Sequence, residues 1–283
     1  MSKDWSEWIH FGDWACADEA KIPMLPAHIQ EMAQLAFDPE VSTKHMAAAV
    51  AKDPVLAMQV IRMANSAFSA PAVEITDIYQ AVARLGTQSV RNLVIAGCLS
   101  AQFVDPAVYG PTGRDVVDHC LGTALLASAL ETRPEASGET FLSGLLHDIG
   151  KLLILKLAHD FRRQSQAGPT DAELDAVLAD RHPQLGGWLA GRWRMPASLS
   201  DPIIWHHDPD WADNREPTVI VYAANRLAHR YGFGCDQDSS DVLEDPILGE
   251  AGVDAARLAA LDASAPEMFR ATRHILTSHA RSN

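Results

Sequence analysis

Apolar residues recur at helical spacing along most of this chain. Ile29, Met32 and Leu35 mark one such face between residues 27 and 37, which is the period of an amphipathic helix. Further runs of the same kind cover residues 55–65, 76–85, 90–103 and 115–130. The strand pattern of alternating apolar and polar residues is scarce. The chain is therefore predicted to be all-α.

Capping and breaking residues indicate where several of these helices begin and end. Gly86 directly follows an apolar run, as a glycine does at the end of a helix. Thr170 and Ser264 are each followed three residues later by a glutamate, the pattern of a capping box. Pro183, next to His182, is typical of the first turn of a helix. We therefore predict helix starts near these last three positions.

A cluster of helix-breaking residues divides the chain into two helical lobes. The cluster consists of Pro106, Gly110, Pro111 and Gly113. The predicted parts are an N-terminal extension at residues 1–21, an N-terminal helical lobe at 22–110, a second lobe at 111–231, and a C-terminal loop with helices at 232–283.

Composition limits the classes of partner. The 283 residues are 47% hydrophobic, enough for a sizeable core, and carry a formal net charge of −14. Such acidity argues against general nucleic-acid binding and against adhesion to anionic membranes. No apolar run approaches the roughly 18 residues of a membrane span, and the cysteines form no CxxC pair. We expect a cytoplasmic protein with reduced thiols and neither a membrane nor a nucleic-acid partner.

The segment Leu145-Leu146-His147-Asp148-Ile149-Gly150-Lys151 carries the strongest chemical signal. It places an imidazole and a carboxylate inside an apolar run, where unpartnered polar groups are costly. A divalent metal ion is a natural partner for both groups. The His147-Asp148 dipeptide alone is weak evidence for a metal site, because the same dipeptide recurs at His159-Asp160 and His207-Asp208.

Further candidate ligands lie at wide intervals on predicted helices. They are His119, His182, His206, His207 and Asn225. Asp148 could bridge two ions through its two oxygens, with imidazoles as terminal ligands, and such an ion pair can clamp a phosphate. Lys151, on roughly the same helix face as Asp148, could hold a phosphate oxygen or could be an ordinary surface lysine. The other seven histidines, including His229, are expected to be ordinary core or surface residues.

The order of these residues resembles the HD metal-dependent phosphohydrolase superfamily, and more closely the HDOD family, the HD-related output domains of bacterial signalling. In the first lobe the resemblance rests on Leu25-Pro26-Ala27, Asp53-Pro54-Val55-Leu56, Met63-Ala64-Asn65-Ser66-Ala67 and Ala81-Val82-Ala83-Arg84-Leu85-Gly86. In the second lobe it rests on the run 141–150, His182-Pro183-Gln184-Leu185-Gly186, Trp193-Arg194-Met195-Pro196 and Ile204-Trp205-His206-His207-Asp208-Pro209. It covers residues 22–230 and implies an HD-like helical core with an N-terminal helical subdomain.

The resemblance also implies a metal site with one or two divalent ions, which would be iron, manganese or zinc. Its ligands would be His119, His147, Asp148, His182, His206, His207 and Asn225. The chain departs from the related HD-GYP phosphodiesterases at two points. Asn225 stands where those enzymes carry an aspartate, and Asp208-Pro209 follows the paired histidines in place of a Gly-Tyr-Pro element.

These departures favour a regulatory signalling module without catalysis, in which the metal serves structure or sensing. Its partners would be signalling proteins, and its oligomeric state is left open. The alternative is a metal-dependent phosphohydrolase acting on a nucleotide or cyclic dinucleotide, with Lys151 as a catalytic residue. The aromatic residues of the 1–21 extension could form a docking or dimer segment, or could cap their own lobe.

Overall fold

The computed structural model is helical and contains no strand in the residues that it describes. These are residues 41–52, 54–65, 74–93, 105–133, 136–165, 168–193, 195–235, 237–238 and 240–277. The helices with assigned bounds are α1 (Thr43–Val50), α2 (Pro54–Ala64), α3 (Ile78–Leu85), α4 (Pro106–Leu130), α5 (Ser137–Leu146), α6 (Ile149–Ser165), α7 (Asp171–Arg192), α8 (Ala197–Trp205), α9 (Arg215–Tyr231), α10 (Pro246–Glu250) and α11 (Ala255–Thr277). Residues 87–93 are also helical. The all-α prediction is confirmed.

Helices α1, α2 and α3 pack on one another in the N-terminal lobe. Asn65, just after α2, fixes the returning chain: its Nδ2 donates to Ile75 O (2.7 Å), and Ile75 N donates back to its Oδ1 (2.8 Å). Helix α3 begins after Asp77, whose carboxylate accepts from Gln80 N, and it ends at Gly86 as predicted. The C-terminal helix α11 contacts both α2 and α4, so it joins the two lobes.

The second lobe is built around α4, which contacts α5, α6 and α9. Helix α7 packs on α6 and α8, and α8 in turn packs on α5 and α9. Large aliphatic side chains that are fully buried fill the space between them, among them Leu126, Leu146, Ile154, Leu189 and Ile203. Each contributes about 1.5–3 kcal/mol relative to exposure, so this core fixes the positions of the surrounding helices.

Of three local predictions about helix starts, one is confirmed and two are wrong. The capping box at Thr170 is confirmed, because its side chain accepts from Glu173 N while the Glu173 carboxylate accepts from Thr170 N. The prediction at Ser264 is wrong: this residue lies inside α11 and its hydroxyl donates to Ala260 O. Pro183 likewise lies inside α7 and does not start a helix. In both cases tertiary packing continues the helix past a local start signal.

The predicted interruption near residue 110 is a kink inside α4. The helix already begins at Pro106, and only Gly110 leaves helical geometry, at φ 59° and ψ −161°. Pro111 follows directly and has no N–H to donate, which is a usual cause of a kink. The division of the chain at this point stays a prediction.

Several predictions fall outside the described residues. They concern the 1–21 extension, the helix at 27–37, the Leu25-Pro26-Ala27 motif, most of the 90–103 run, and Cys16 and Cys98. Among the described helices, none is long and apolar enough to cross a membrane.

Helices α6 and α7 approach so closely that a side chain is excluded at their contact. A Cβ atom added to Gly150 would lie 2.0 Å from the carbonyl oxygen of His182 and 2.8 Å from the nitrogen of Gly186. Both obstacles are backbone atoms, which cannot rotate away. Glycine at residue 150 therefore sets the distance between the helix that follows Asp148 and the helix that carries His182.

We predict that Gly150→Ala destabilises the fold by about 1–3 kcal/mol, because the added methyl must push α7 away from α6. The measurement is the free energy of unfolding in urea. Gly191→Ala is the matched control, since nothing lies within 4 Å of a Cβ at that helical position. It should be neutral or stabilise the fold by up to about 1 kcal/mol. Equal effects of the two substitutions would contradict the close-contact explanation.

Candidate metal centre

Asp148 lies at the junction of α5 and α6, and its side chain is almost completely buried (1% exposed). Four histidines surround it from four different helix segments. His119 comes from α4, His147 from the end of α5, His182 from α7 and His206 from the end of α8. The centre is therefore assembled by tertiary packing from positions up to 87 residues apart in sequence, the separation of the first and last of these histidines.

Each oxygen of the Asp148 carboxylate faces a different pair of imidazoles. Oδ2 lies 3.7 Å from His119 Nε2 and 3.4 Å from His147 Nε2. Oδ1 lies 3.2 Å from His182 Nε2 and 3.6 Å from His206 Nε2. This is the arrangement that a carboxylate bridging two ions requires.

Backbone carbonyl groups fix the protonation of three of the four rings. Nδ1 of His147, His182 and His206 lies 2.8, 2.6 and 3.0 Å from the carbonyl oxygens of residues 144, 178 and 203. A carbonyl oxygen only accepts, so each of these neutral rings carries its proton on Nδ1 and presents the lone pair of Nε2 towards Asp148. His119 faces an acceptor on both sides, with Phe233 O 3.2 Å from Nδ1 and Asn225 Oδ1 2.9 Å from Nε2.

This convergence of lone pairs suits a bound cation. A carboxylate accepts but does not donate, and His182 Nε2 also lies 3.1 Å from His206 Nε2 without a proton for either atom to share. His147 Nε2 and Asp148 Oδ1 are buried and have no hydrogen-bond partner. Two ligands that each lie about 2.1 Å from one ion are about 3.0–3.4 Å apart, close to the separations observed here. The residues fit a divalent metal.

Lys151 and His207 lie at the more exposed edge of the centre. Lys151 Nζ donates to Asp148 Oδ2 at 2.6 Å, so this ammonium group pairs with the central carboxylate. His207 Nε2 lies 3.0 Å from His182 Nε2. Asn225, on α9, places its Oδ1 2.9 Å from His119 Nε2. The other six predicted ligands thus meet around Asp148, and the binding of metal by all seven stays a prediction.

The electrostatics leave the ligands in their metal-binding forms. Burial by itself would raise the pKa of Asp148, but the charge of Lys151 and the facing imidazoles hold it well below its usual range. Burial lowers the pKa of His119 to about 3 and that of His182 to about 4. It also lowers the pKa of His147 and His206. A carboxylate and neutral imidazoles are the species that bind divalent ions.

Two side chains near the centre were not predicted as ligands. The ring of His229 lies 4.7 Å from that of His119, centroid to centroid. The potential ligand atoms of these two histidines and of Cys235 all lie within 4.8 Å of one another. The spacing from Asn225 to His229 is one helical turn, the one signal in the sequence for His229. Cys235 has no such signal, because a loop brings it to this position.

A family model for the HDOD domain matches residues 22–209, more than half of the chain. The chain belongs to the HDOD family. This confirms the resemblance inferred from the ordered motifs. The identity of the family also agrees with the helical HD-like arrangement of α4 to α9 around Asp148.

Solved structures share the fold of this HDOD chain. An HDOD domain protein of unknown function from Geobacter sulfurreducens has a TM-score of 0.68 at 21% identity, over 90% of this chain and 93% of that one. A protein from Marinobacter aquaeolei VT8, provisionally named as acting in signal transduction, has a TM-score of 0.65 at 21% identity, over 92% and 60%. A protein from Shewanella amazonensis SB2B, provisionally named a metal-dependent phosphohydrolase, has a TM-score of 0.65 at 17% identity, over 91% and 91%.

A curated relative extends beyond the region shared with this HDOD chain. It is an uncharacterised protein of Treponema pallidum (strain Nichols), 24% identical over an alignment of 229 positions that covers 74% of this chain. The chain spans 42% of the length of that relative.

We predict that Asn225→Asp tightens metal binding by about tenfold or more, because a carboxylate adds a negative charge beside His119 and charge count sets affinity for divalent ions. Titration of metal-free protein with Mn²⁺ or Zn²⁺ in a calorimeter measures the change. Asn92→Asp adds the same charge in the helical segment 87–93 of the N-terminal lobe and should leave affinity unchanged. Unaltered affinity in the first variant would place Asn225 outside the ligand shell.

Proposed function

We propose that this chain is an HDOD regulatory module that holds one or two divalent ions at Asp148 and signals through protein contacts without catalysis. The observation that carries the metal assignment is the convergence of four Nε2 atoms on one buried carboxylate, three of them fixed as lone pairs by backbone acceptors. The observation that favours regulation is the neutral amide of Asn225 beside His119.

The two oxygens of Asp148 divide the ligands into two sets. The Oδ2 side holds His119, His147 and Asn225. The Oδ1 side holds His182, His206 and His207. Bound divalent ions would supply Lewis-acid character and positive charge at the carboxylate. The chain itself supplies orientation, because the backbone carbonyl acceptors fix each ring with Nε2 directed inward.

Burial of the centre supports a sensing or structural role. His119, His147, His182 and His206 are each at most 3% exposed, so a bulky substrate would have little access to them among the described residues. The same ions would bind ligands on α4, α7, α8 and α9 together. Metal occupancy would therefore stabilise one arrangement of these helices, since binding free energy adds to folding free energy when a site forms only in the folded state.

Membership of the HDOD family supports signalling proteins as the partners. The acidic composition supports the absence of a nucleic-acid partner. The scattered cysteines without a CxxC pair support a cytoplasmic location. Input to the module would then come from a partner that senses the signal.

One observation favours the alternative, a metal-dependent phosphohydrolase. The chain keeps imidazole ligands on both sides of Asp148, although a single structural ion would need only one side. Two adjacent ions could clamp a phosphodiester, and Lys151 could contact a phosphate oxygen if the substrate drew it away from Asp148.

We predict that protein purified without chelator contains at least one divalent ion per chain, and that Asp148→Asn removes it by neutralising the bridging carboxylate. Elemental analysis by mass spectrometry measures both results. His274→Gln is the control, because this exposed residue of α11 lies outside the centre. If no ion is present and none binds after addition of iron, manganese or zinc, the metal centre is disproved.

Metal-loaded protein should show no turnover with a panel of nucleotides, cyclic dinucleotides and a chromogenic phosphodiester. It should also retain a signalling partner more strongly than Asp148→Asn does in a pull-down. Hydrolysis that depends on metal and disappears in Asp148→Asn would replace the regulatory proposal with the enzymatic one.

A further inference from the structure

A second group of potential ligands adjoins the centre at His119. It consists of His119 itself, His229 at the end of α9, and Cys235 in the loop that follows. His229 and Cys235 do not belong to the ligand set proposed above. The ligand atoms of all three lie within 4.8 Å of one another, a separation that a small shift of side chains could close around one ion.

Two glycines bring Cys235 back towards His229. Helix α9 ends at Gly232, which adopts the left-handed conformation (φ 65°, ψ 35°), and Gly234 also has φ 65°. These angles favour glycine and reverse the chain. As a result Cys235 Sγ lies 3.9 Å from Ala228 O, over the last turn of α9.

The loop between these residues is held directly against His119. A Cβ on Gly234 would lie 2.1 Å from Asp115 O and 2.4 Å from His119 N, so the loop backbone touches the backbone of α4. Phe233 O accepts from His119 Nδ1. The ring of Phe233 stacks on Phe269 of α11 at 4.2 Å between centroids. Cys235 therefore directly follows a segment that backbone contacts hold against α4.

The group lies on the side of the centre where a charged ligand is missing. Asn225 and His229 lie one helical turn apart on α9, and both are next to His119. The potential ligand atoms of His119, His229 and Cys235 lie within 4.8 Å of one another, and His119 Nε2 lies 3.7 Å from Asp148 Oδ2. These distances place His229 and Cys235 beside the Oδ2 half of the centre.

We propose that His229 and Cys235 are additional ligands of the ion on the Oδ2 side, where the Cys235 thiolate supplies the negative charge that Asn225 lacks. This inference rests on the metal centre proposed above. A thiolate and an imidazole are softer ligands than a carboxylate, so this half of the centre should select Zn²⁺, Fe²⁺ or Co²⁺ over Mn²⁺ and Mg²⁺. The Oδ1 half has imidazole and carboxylate ligands and should be less selective.

Cobalt reports sulfur ligation directly. Metal-free full-length protein is titrated with Co²⁺, and we expect a near-ultraviolet thiolate-to-cobalt charge-transfer band. Cys235→Ser should abolish this band while cobalt still binds at the Oδ1 side. Cys120→Ala tests the other cysteine near the centre, because the buried Cys120 sulfur lies against the backbone of Asp148. The band should persist in that variant.

The role of His229 is tested by measuring the affinity for Zn²⁺ and Mn²⁺. His229→Gln should weaken Zn²⁺ binding on the Oδ2 side by about tenfold to a hundredfold. A loss of this size is typical when a group around a metal site is removed. It should change Mn²⁺ binding much less. His274→Gln should change neither affinity. Equal losses for Zn²⁺ and Mn²⁺ in His229→Gln would contradict a selective soft site.

The outcomes separate this inference from the function on which it rests. Cobalt binding without the band, or a band that Cys235→Ser leaves intact, overturns the sulfur ligand and leaves the Asp148 centre standing. Absence of bound cobalt in equilibrium dialysis overturns both. If Cys235→Ser fails to fold, X-ray absorption on the zinc-loaded wild type decides, with a sulfur scatterer at about 2.3 Å expected. A shell of nitrogen and oxygen alone would refute the proposal.

Discussion

The structure depends on one electrostatic constraint, the need to neutralise a buried carboxylate that is surrounded by lone pairs. Backbone carbonyls hold the Nδ1 proton of His147, His182 and His206, so these three Nε2 atoms face Asp148 without a proton. Buried lone pairs that face one another are costly unless a cation lies between them. Lys151 supplies part of that charge. A divalent ion on each side would satisfy the remaining atoms.

The helices around the centre meet at close contacts between backbone atoms. Gly150 lets the backbone of α6 touch the backbone of α7 at His182, and Gly234 lets the loop after α9 touch α4 at His119. Close packing transmits small displacements, because packed interiors compress little. A change in metal occupancy would therefore be felt in the helices that carry the ligands. This property suits a regulatory module, in which the useful output is a change of shape.

The ligand chemistry of the Oδ2 side is the basis for proposing a regulatory role. The amide of Asn225 offers no charge to an ion, whereas the thiol of Cys235 and the ring of His229 are softer groups nearby. The Oδ1 side has three imidazoles. The two halves of one carboxylate thus have different ligand chemistry.

The sequence alone determined the helical class and the family, and it predicted the residues that meet around Asp148. Helical periodicity reports local structure, and ordered motifs such as those around His147-Asp148 and His206-His207 are specific enough to identify a family. Local signals failed at Ser264 and Pro183, where packing continues a helix that the residue type would start.

Only the tertiary structure decided what surrounds each ligand. The protonation of three rings follows from carbonyl acceptors of their own helices, whereas His119 meets Phe233 O from a residue 114 positions away in the chain. Cys235 has no periodic relation to the predicted ligands, so its approach to His119 and His229 depends on two left-handed glycines and on the packing of a loop against α4. Residue types carry the chemistry of single groups, but distances between remote groups exist only in the folded chain.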